Sequence, residues 1–273
     1  MEKTEALALR MLPHSETSLI VTWLSPEFGR LTTLHKGARR PKSLFLGQIE
    51  VGDTSELIFY TRERSGIHIA RECSRLVRRD AVRRHWRRYV AAEYVCRALL
   101  QVCVPGGPHQ TAYRLAQDAL DFLCQSPASP EFALQWELRL LKTLGMAPHL
   151  DTCLVCGEKR EPFATADRAR HWLFSPSRGG ILCATCAAQP TTPSDIGSGT
   201  GALLDSRPDV LAVMRQWLNA RSARSAQRVR CNPGQRQALD RILSAFLDFH
   251  LDIDPKPRRT IQAMLDREPA ALI

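Results

Sequence analysis

Two short cysteine pairs, Cys153-Leu-Val-Cys156 and Cys183-Ala-Thr-Cys186, constrain this chain more than any other feature. A Cys-x-x-Cys turn puts both sulfurs on one side of a tight loop. Two such turns facing each other supply four thiolates in a tetrahedron, with Zn–S near ~2.3 Å. Gly157 follows the first pair and Gly179-Gly180 precede the second, where chain reversals need unhindered backbone. Residues 157–182 exceed the roughly 15–20 of a compact ribbon, so a small hairpin or loop is expected to fill the gap. Four thiolates leave no open coordination position for water. The expected cofactor is therefore one structural Zn2+ on Cys153, Cys156, Cys183 and Cys186. Two redox-active pairs or plain buried thiols are the competing readings. His171 lies between the pairs and is read as a surface ring, because four better ligands are in hand.

The chain has 273 residues, more than the ~100–150 typical of one domain, so two or three modules are expected. No apolar run approaches the ~18 residues of a membrane helix, and the start lacks the basic-then-apolar plan of a secretory signal. The expected location is cytoplasmic, with no membrane partner. Nine cysteines, an odd number without an export signal, argue for reduced thiols. Cys73, Cys96, Cys103, Cys124 and Cys231 then read as small apolar side chains rather than reactive ones. The net charge is +10, and residues 1–90 hold 17 Lys/Arg against 10 Asp/Glu. That arginine-rich surplus points to an anionic polymer, since the guanidinium fork suits phosphate.

Residues 7–11, 19–23 and 31–35 read as strands separated by turns at Pro13-His14-Ser15 and Pro26-Glu27-Phe28-Gly29; residues 57–60 and 67–69 add two more. Five short strands with one longer loop after the third suit a barrel of the oligonucleotide-binding (OB) type, with a sandwich fragment as the competitor. From about Asp80 the period becomes helical. Val82, Trp86, Tyr89, Val90 and Glu93 are expected on one side of a helix and Arg83, Arg84, Arg87 and Arg88 on the other, until Pro105-Gly-Gly-Pro108 stops it. Further helices are expected near 111–125, 131–144, 208–221 and 234–251, with a flexible linker at 190–201 and little signal from Asp254 onward. The expected fold is thus α+β multidomain: an OB-fold barrel at 1–79, a helical domain beginning at 80–148, a zinc module at 149–188, and a linker plus second helical part at 189–273.

The loop Lys36-Gly-Ala-Arg39-Arg40-Pro-Lys42-Ser43 carries four cations among small residues, which lets a phosphate chain approach closely. A solvated surface loop is the alternative. The barrel and the arginines at 83–88 favour binding, with Phe28, Phe45 or Tyr60 as candidate stacking platforms. The phosphate-loop pattern Gly-x-x-x-x-Gly-Lys-Ser/Thr is missing, and no Ser/His/Asp order or His-Glu-x-x-His motif stands out. The chain does not read as an enzyme.

The order of Leu19-Ile-Val-Thr-Trp-Leu24, Phe28-Gly29-Arg30, Lys36-Gly37-Ala38-Arg39-Arg40, Leu140-Leu-Lys-Thr-Leu-Gly145 with Pro148, Cys153-Leu-Val-Cys156-Gly157, and Phe174-Ser175 leading to Gly179-Gly180-Ile-Leu-Cys183 resembles the RecO family of bacterial recombination and repair proteins. The resemblance runs over nearly the whole chain. It implies an OB barrel followed by a helical domain bearing the zinc module. It also implies a non-enzymatic mediator that binds single- and double-stranded DNA, anneals complementary strands, engages the C-terminal tail of single-strand-binding protein, and with RecR helps load RecA. The matched basic motif puts DNA contact on Lys36, Arg39, Arg40 and Lys42, with Arg30 nearby; Arg83, Arg84, Arg87 and Arg88 join them from helix geometry. A zinc-ribbon RNA-binding or transcription accessory protein shares the charge and the cysteines, and RNA preference distinguishes it. A metal-assisted nuclease would need an open ion site, and magnesium-dependent cleavage of DNA distinguishes that.

Overall fold

The computed structural model describes residues 1–62, 65–160, 172–189, 202–251 and 254–267. The expected linker at 190–201 and His171 lie outside them. The chain forms two compact units, residues 1–130 with 256–273, and residues 131–255.

The first unit is built on a closed barrel of β1 (Glu2–Pro13), β2 (Leu19–Ser25), β3 (Gly29–His35), β4 (Thr54–Tyr60) and β5 (Ile67–Val77), in the order β1-β2-β3-β5-β4. The parallel β3–β5 pairing, Thr32 with Ile67 and Leu34 with Ile69, closes it and removes the open sheet edge. Ala6, Ala8, Val21, Trp23, Leu31, Leu57 and Phe59 fill the interior. The expected alternating set Leu7, Leu9 and Met11 is split by a bulge between Ala8 and Arg10. Before the bulge the inward side belongs to Ala6 and Ala8, and Leu7 and Leu9 are buried on the outer face, where a helix covers β1. Beyond it Met11 returns to the interior cluster.

Three helices follow the barrel along the chain in this unit: α1 (Asp80–Arg83), α2 (Trp86–Val102) and α3 (Gln110–Gln125). The single helix expected from Asp80 is broken at Arg84-His85, because the His85 side chain accepts the Arg87 N–H at 3.2 Å and caps a new helix. The buried side of α2 is accordingly Ala91, Ala92, Val95, Cys96 and Leu99, while Trp86 and Tyr89, expected in the core, are 40% and 48% exposed. The first compact unit runs on through these helices to Pro130. Helices α1–α3 stay with the barrel because they bond to it: Tyr113 on α3 donates to Glu5 at 2.7 Å, and Arg79 donates to the Gly52 carbonyl at 2.8 Å. The β2–β3 turn docks on the α2–α3 connection, with Arg30 N–H donating to the Val104 carbonyl at 3.3 Å. Gly29 sits there at φ +65°, where a Cβ would lie 2.3 Å from the Gly107 carbonyl oxygen.

The second unit contains α4 (Phe132–Thr143), β6 (Trp172–Ser175), β7 (Gly180–Cys183), α5 (Ala184–Ala187), β8 (Leu204–Asp205), α6 (Pro208–Leu218), α7 (Ala223–Ala226) and α8 (Pro233–His250). The small sheet runs β7-β6-β8, so a β6–β7 hairpin occupies part of the interval between the cysteine pairs. One core joins Leu134, Leu138 and Leu141 of α4 to Phe174, Ile181, Trp217 and Ile242. The helix expected over 208–221 ends at Leu218; Ser222 then caps the separate short α7. Beyond α8 the chain rejoins the first unit with α9 (Pro255–Leu265), a helix the sequence pattern hides because prolines crowd its first turn. Proline is tolerated there, and buried Arg258, Ile261 and Leu265 recur along one side.

Candidate functional site

The four cysteines of the two pairs meet. Cys153 and Cys156 lie on a turn closed by Gly157 N–H donating to the Cys153 carbonyl at 3.0 Å, and Cys183 and Cys186 lie at the end of β7 and in α5. The two turns are held together by backbone: Leu154 N–H donates to the Ile181 carbonyl at 3.0 Å, and Ile181 N–H to that of His149 at 3.1 Å. This approach explains Gly180, where a Cβ would come within 2.5 Å of the His149 carbonyl oxygen. Gly179 meanwhile takes φ +78° in the hairpin turn.

The four sulfurs lie within 4.8 Å of one another, and those of Cys156 and Cys183 are 3.7 Å apart. A tetrahedron with ~2.3 Å metal–sulfur bonds has edges of roughly 3.8 Å, so this cluster can hold a metal ion. Its electrostatics ask for one. Burial pushes the Cys153 thiol up, but the N–H groups of Cys156, Cys183 and Val155 outweigh it and bring it to about 6. Burial and the neighbouring thiols push Cys186 up to about 12. Four sulfurs at these distances cannot all ionise against one another, and a cation among them removes the conflict. Cys153, Cys183 and Cys186 also belong to the apolar core of their unit, so a bound ion would sit in the packing itself.

The remaining cysteines are of a different kind. Burial pushes Cys73, Cys103 and Cys231 up to about 11 and Cys96 up to about 12, which leaves inert thiols used for packing.

The basic loop joins β3 to β4 and is ordered by its own turns. Arg40 N–H donates to the Gly37 carbonyl and Ser43 N–H to that of Arg40, both at 3.0 Å, while Arg39 N–H reaches across to the Thr17 carbonyl at 2.9 Å. Lys36, Arg39, Arg40 and Lys42 are all exposed, and none makes an ion pair among the described residues. Their charge therefore faces water uncompensated.

The other predicted cations are differently placed. The Arg30 guanidinium is half-buried and donates to the Leu100 carbonyl at the end of α2. Arg83 pairs with Asp80 at 2.5 Å and with Asp53 at 3.4 Å, and Arg88 donates to the Cys124 carbonyl at 3.0 Å. Arg87 stacks on the Trp86 ring, 5.0 Å from its centroid, and donates to the Arg267 carbonyl. Of the four arginines at 83–88, Arg84 is exposed on the break between the helices. They do not share one helix face, because the helix that would have aligned them is interrupted.

Among the candidate stacking rings, Phe28 packs edge-on against Phe59 at 5.5 Å and Phe45 against His35 at 4.8 Å. Tyr60 is 46% exposed at the end of β4. His35 itself is fully buried, and its Nε2 shares a 2.7 Å hydrogen bond with Thr33, which also accepts from Trp23 at 2.8 Å. Among the described residues no helix is long and apolar enough to cross a membrane.

Comparison with known proteins gives the family. A family model described as Recombination protein O N terminal matches residues 1–76, and one described as Recombination protein O C terminal matches residues 83–259. DNA repair protein RecO of Prosthecochloris aestuarii is 25% identical over 264 residues, 94% of each chain. That of Anaeromyxobacter sp. is 28% identical over 253 residues, 91% of each. That of Moorella thermoacetica is 28% identical over 251 residues, 92% of this chain and 86% of that protein. With a closed five-stranded barrel at its start and a four-cysteine cluster in its second unit, the chain belongs to the RecO family of DNA repair and recombination proteins.

Proposed function

We propose that this protein is a non-enzymatic recombination mediator acting on DNA in the cytoplasm at the nucleoid. It binds single- and double-stranded DNA, anneals complementary strands, and with RecR helps load RecA onto DNA coated by single-strand-binding protein, whose C-terminal tail it engages. The observation that carries the reading is the basic loop: four exposed cations, Lys36, Arg39, Arg40 and Lys42, on an ordered segment of a barrel, with no carboxylate partner among the described residues.

Annealing needs no bond chemistry. Two strands repel through their phosphates, and cations that neutralise both backbones lower that barrier while leaving base edges free to search for partners. Arg39 and Arg40 offer planar donor forks, and the Gly37 and Pro41 backbone beside them brings no bulky side chain into the approach. Arg84 extends the positive surface from the start of α2; Arg30, Arg83, Arg87 and Arg88 contribute field more than contact, since each is partly buried and donates within the protein.

Zn2+ is the ion this cluster suits best. Four sulfur donors in a tetrahedron match its preference, and a closed shell of four thiolates supplies folding energy rather than chemistry. Cys153, Cys156, Cys183 and Cys186 would hold it and thereby pin the β6–β7 hairpin to the preceding turn. The deciding experiment is strand annealing on complementary oligonucleotides coated with single-strand-binding protein. Acceleration by the purified protein without nucleotide or cleavage supports the reading. No acceleration, or magnesium-dependent cutting, refutes it.

A further inference from the structure

Leu44 and Leu46 are 83% and 58% exposed, on the same loop as the four cations, while Phe45 between them turns inward to pack with the barrel interior. A single exposed leucine calls for no explanation. Here two flank an anchored ring, on backbone that its own bonds hold in place: Leu46 N–H donates to the Ser43 carbonyl at 3.1 Å and Gln48 N–H to that of Phe45 at 3.1 Å. The strand-like alternation of outward, inward, outward is thus built into consecutive turns. The apolar side chains start two residues after Lys42 and four after Arg40.

We propose that Leu44 and Leu46 are wedges that enter between the bases of a single DNA strand whose phosphates lie on Lys36, Arg39, Arg40 and Lys42. The inference rests on the DNA-binding reading above and adds what the loop does to the bases. Charge selects the partner as a polyanion. Shape selects among polyanions: the leucines protrude, so the ligand must supply the gap that buries them, and a base step that unstacks does so. An acidic peptide would instead need a concavity on this side to shelter its own apolar residues, and a lipid surface would need a broader apolar face than two side chains. For annealing the consequence is direct. A strand held by its phosphates with its stack opened presents bases to a complement, whereas phosphate binding alone leaves them stacked.

The test uses the full chain, with Leu44→Ala/Leu46→Ala and Leu44→Phe variants, titrated by fluorescence anisotropy against two oligonucleotides of equal length, one with bases and one entirely abasic. The wild type should prefer the strand with bases. The double alanine variant should lose roughly tenfold affinity for that strand, with little change on the abasic one and an unchanged salt slope. Leu44→Phe should retain base-dependent binding, and a 2-aminopurine reporter should brighten with wild type and Leu44→Phe but not with the double variant. Equal losses on both strands, or no loss, would overturn the wedge while leaving DNA binding intact. Wild-type affinity for neither strand would instead sink the DNA reading. Loss confined to phosphatidylserine vesicles, or to an Asp-Asp-Asp-Leu-Phe peptide, would reassign the leucines to a lipid or protein partner and reject the proposal.

Discussion

The carboxylate of Asp53 accepts the backbone N–H of Arg79 at 2.8 Å, joining the end of the basic loop to the residue that precedes α1. Both are buried, and around Asp53 the guanidinium groups of Arg75 and Arg83 approach at 3.4 Å. Arg79 in turn donates to Asp121, Gly52 and Thr54. One carboxylate therefore compensates charge from a strand and a helix at once.

Replacing Asp53 by alanine should leave this cluster of cations without its central anion. A loss on the order of 3–5 kcal/mol is expected, the range for breaking a buried pair by removing one partner. Urea denaturation of the variant measures it; a change below about 1 kcal/mol would show that water takes over the role of Asp53.

Burial lowers His35 from its ordinary 6.5 to about 3. The unfolded chain then binds a proton between those pH values that the folded chain refuses, so the unfolded state gains on acidification. Stability should be full above pH 6.5 and fall as pH drops towards 3, with a slope of up to about 1.4 kcal/mol per pH unit from this group. Denaturation at about pH 7, 6 and 5 should show a shallower decline in His35→Gln than in the wild type. Parallel declines would contradict the assignment.

Arg39→Ala/Arg40→Ala should weaken DNA binding for every sequence alike and lower the salt slope by about two, since each lost phosphate contact removes about one unit. Neither side chain holds the fold by an ion pair among the described residues, so thermal unfolding should move little. Affinity titrations across salt concentrations decide it, an unchanged slope counting against the loop.

Elemental analysis should find close to one zinc per chain. Chelation, or Cys153→Ser, should unfold the region 149–188 and expose Trp172 and Trp217, which share the core of that unit with the cysteines, while the barrel survives. Tryptophan fluorescence and circular dichroism follow the two parts separately. A metal-free protein with an intact second unit would refute the structural role.

Much of this could be read along the chain, because the signals are local. A Cys-x-x-Cys turn brings its own two sulfurs together, and alternation over a few residues marks a strand wherever it sits. The harder features are interruptions that a periodic pattern does not announce. A bulge near Leu9 reversed which side of β1 faces the interior, and the His85 cap split a helix whose apolar period looked continuous. Helix α9 gives little sequence signal because its period rests on one arginine, one isoleucine and one leucine behind two prolines.

Ligand chemistry, strand alternation and the placement of positive charge follow from residue types and short spacings, which act through neighbours a few positions apart. Which cations remain available to a ligand does not. Arg83 and Arg88 are spent on Asp53 and on the Cys124 carbonyl, groups on other elements, whereas Lys36, Arg39, Arg40 and Lys42 meet no carboxylate among the described residues and are exposed. Charge is written in the chain, but its compensation depends on long-range contacts that exist only once the barrel and helices have packed.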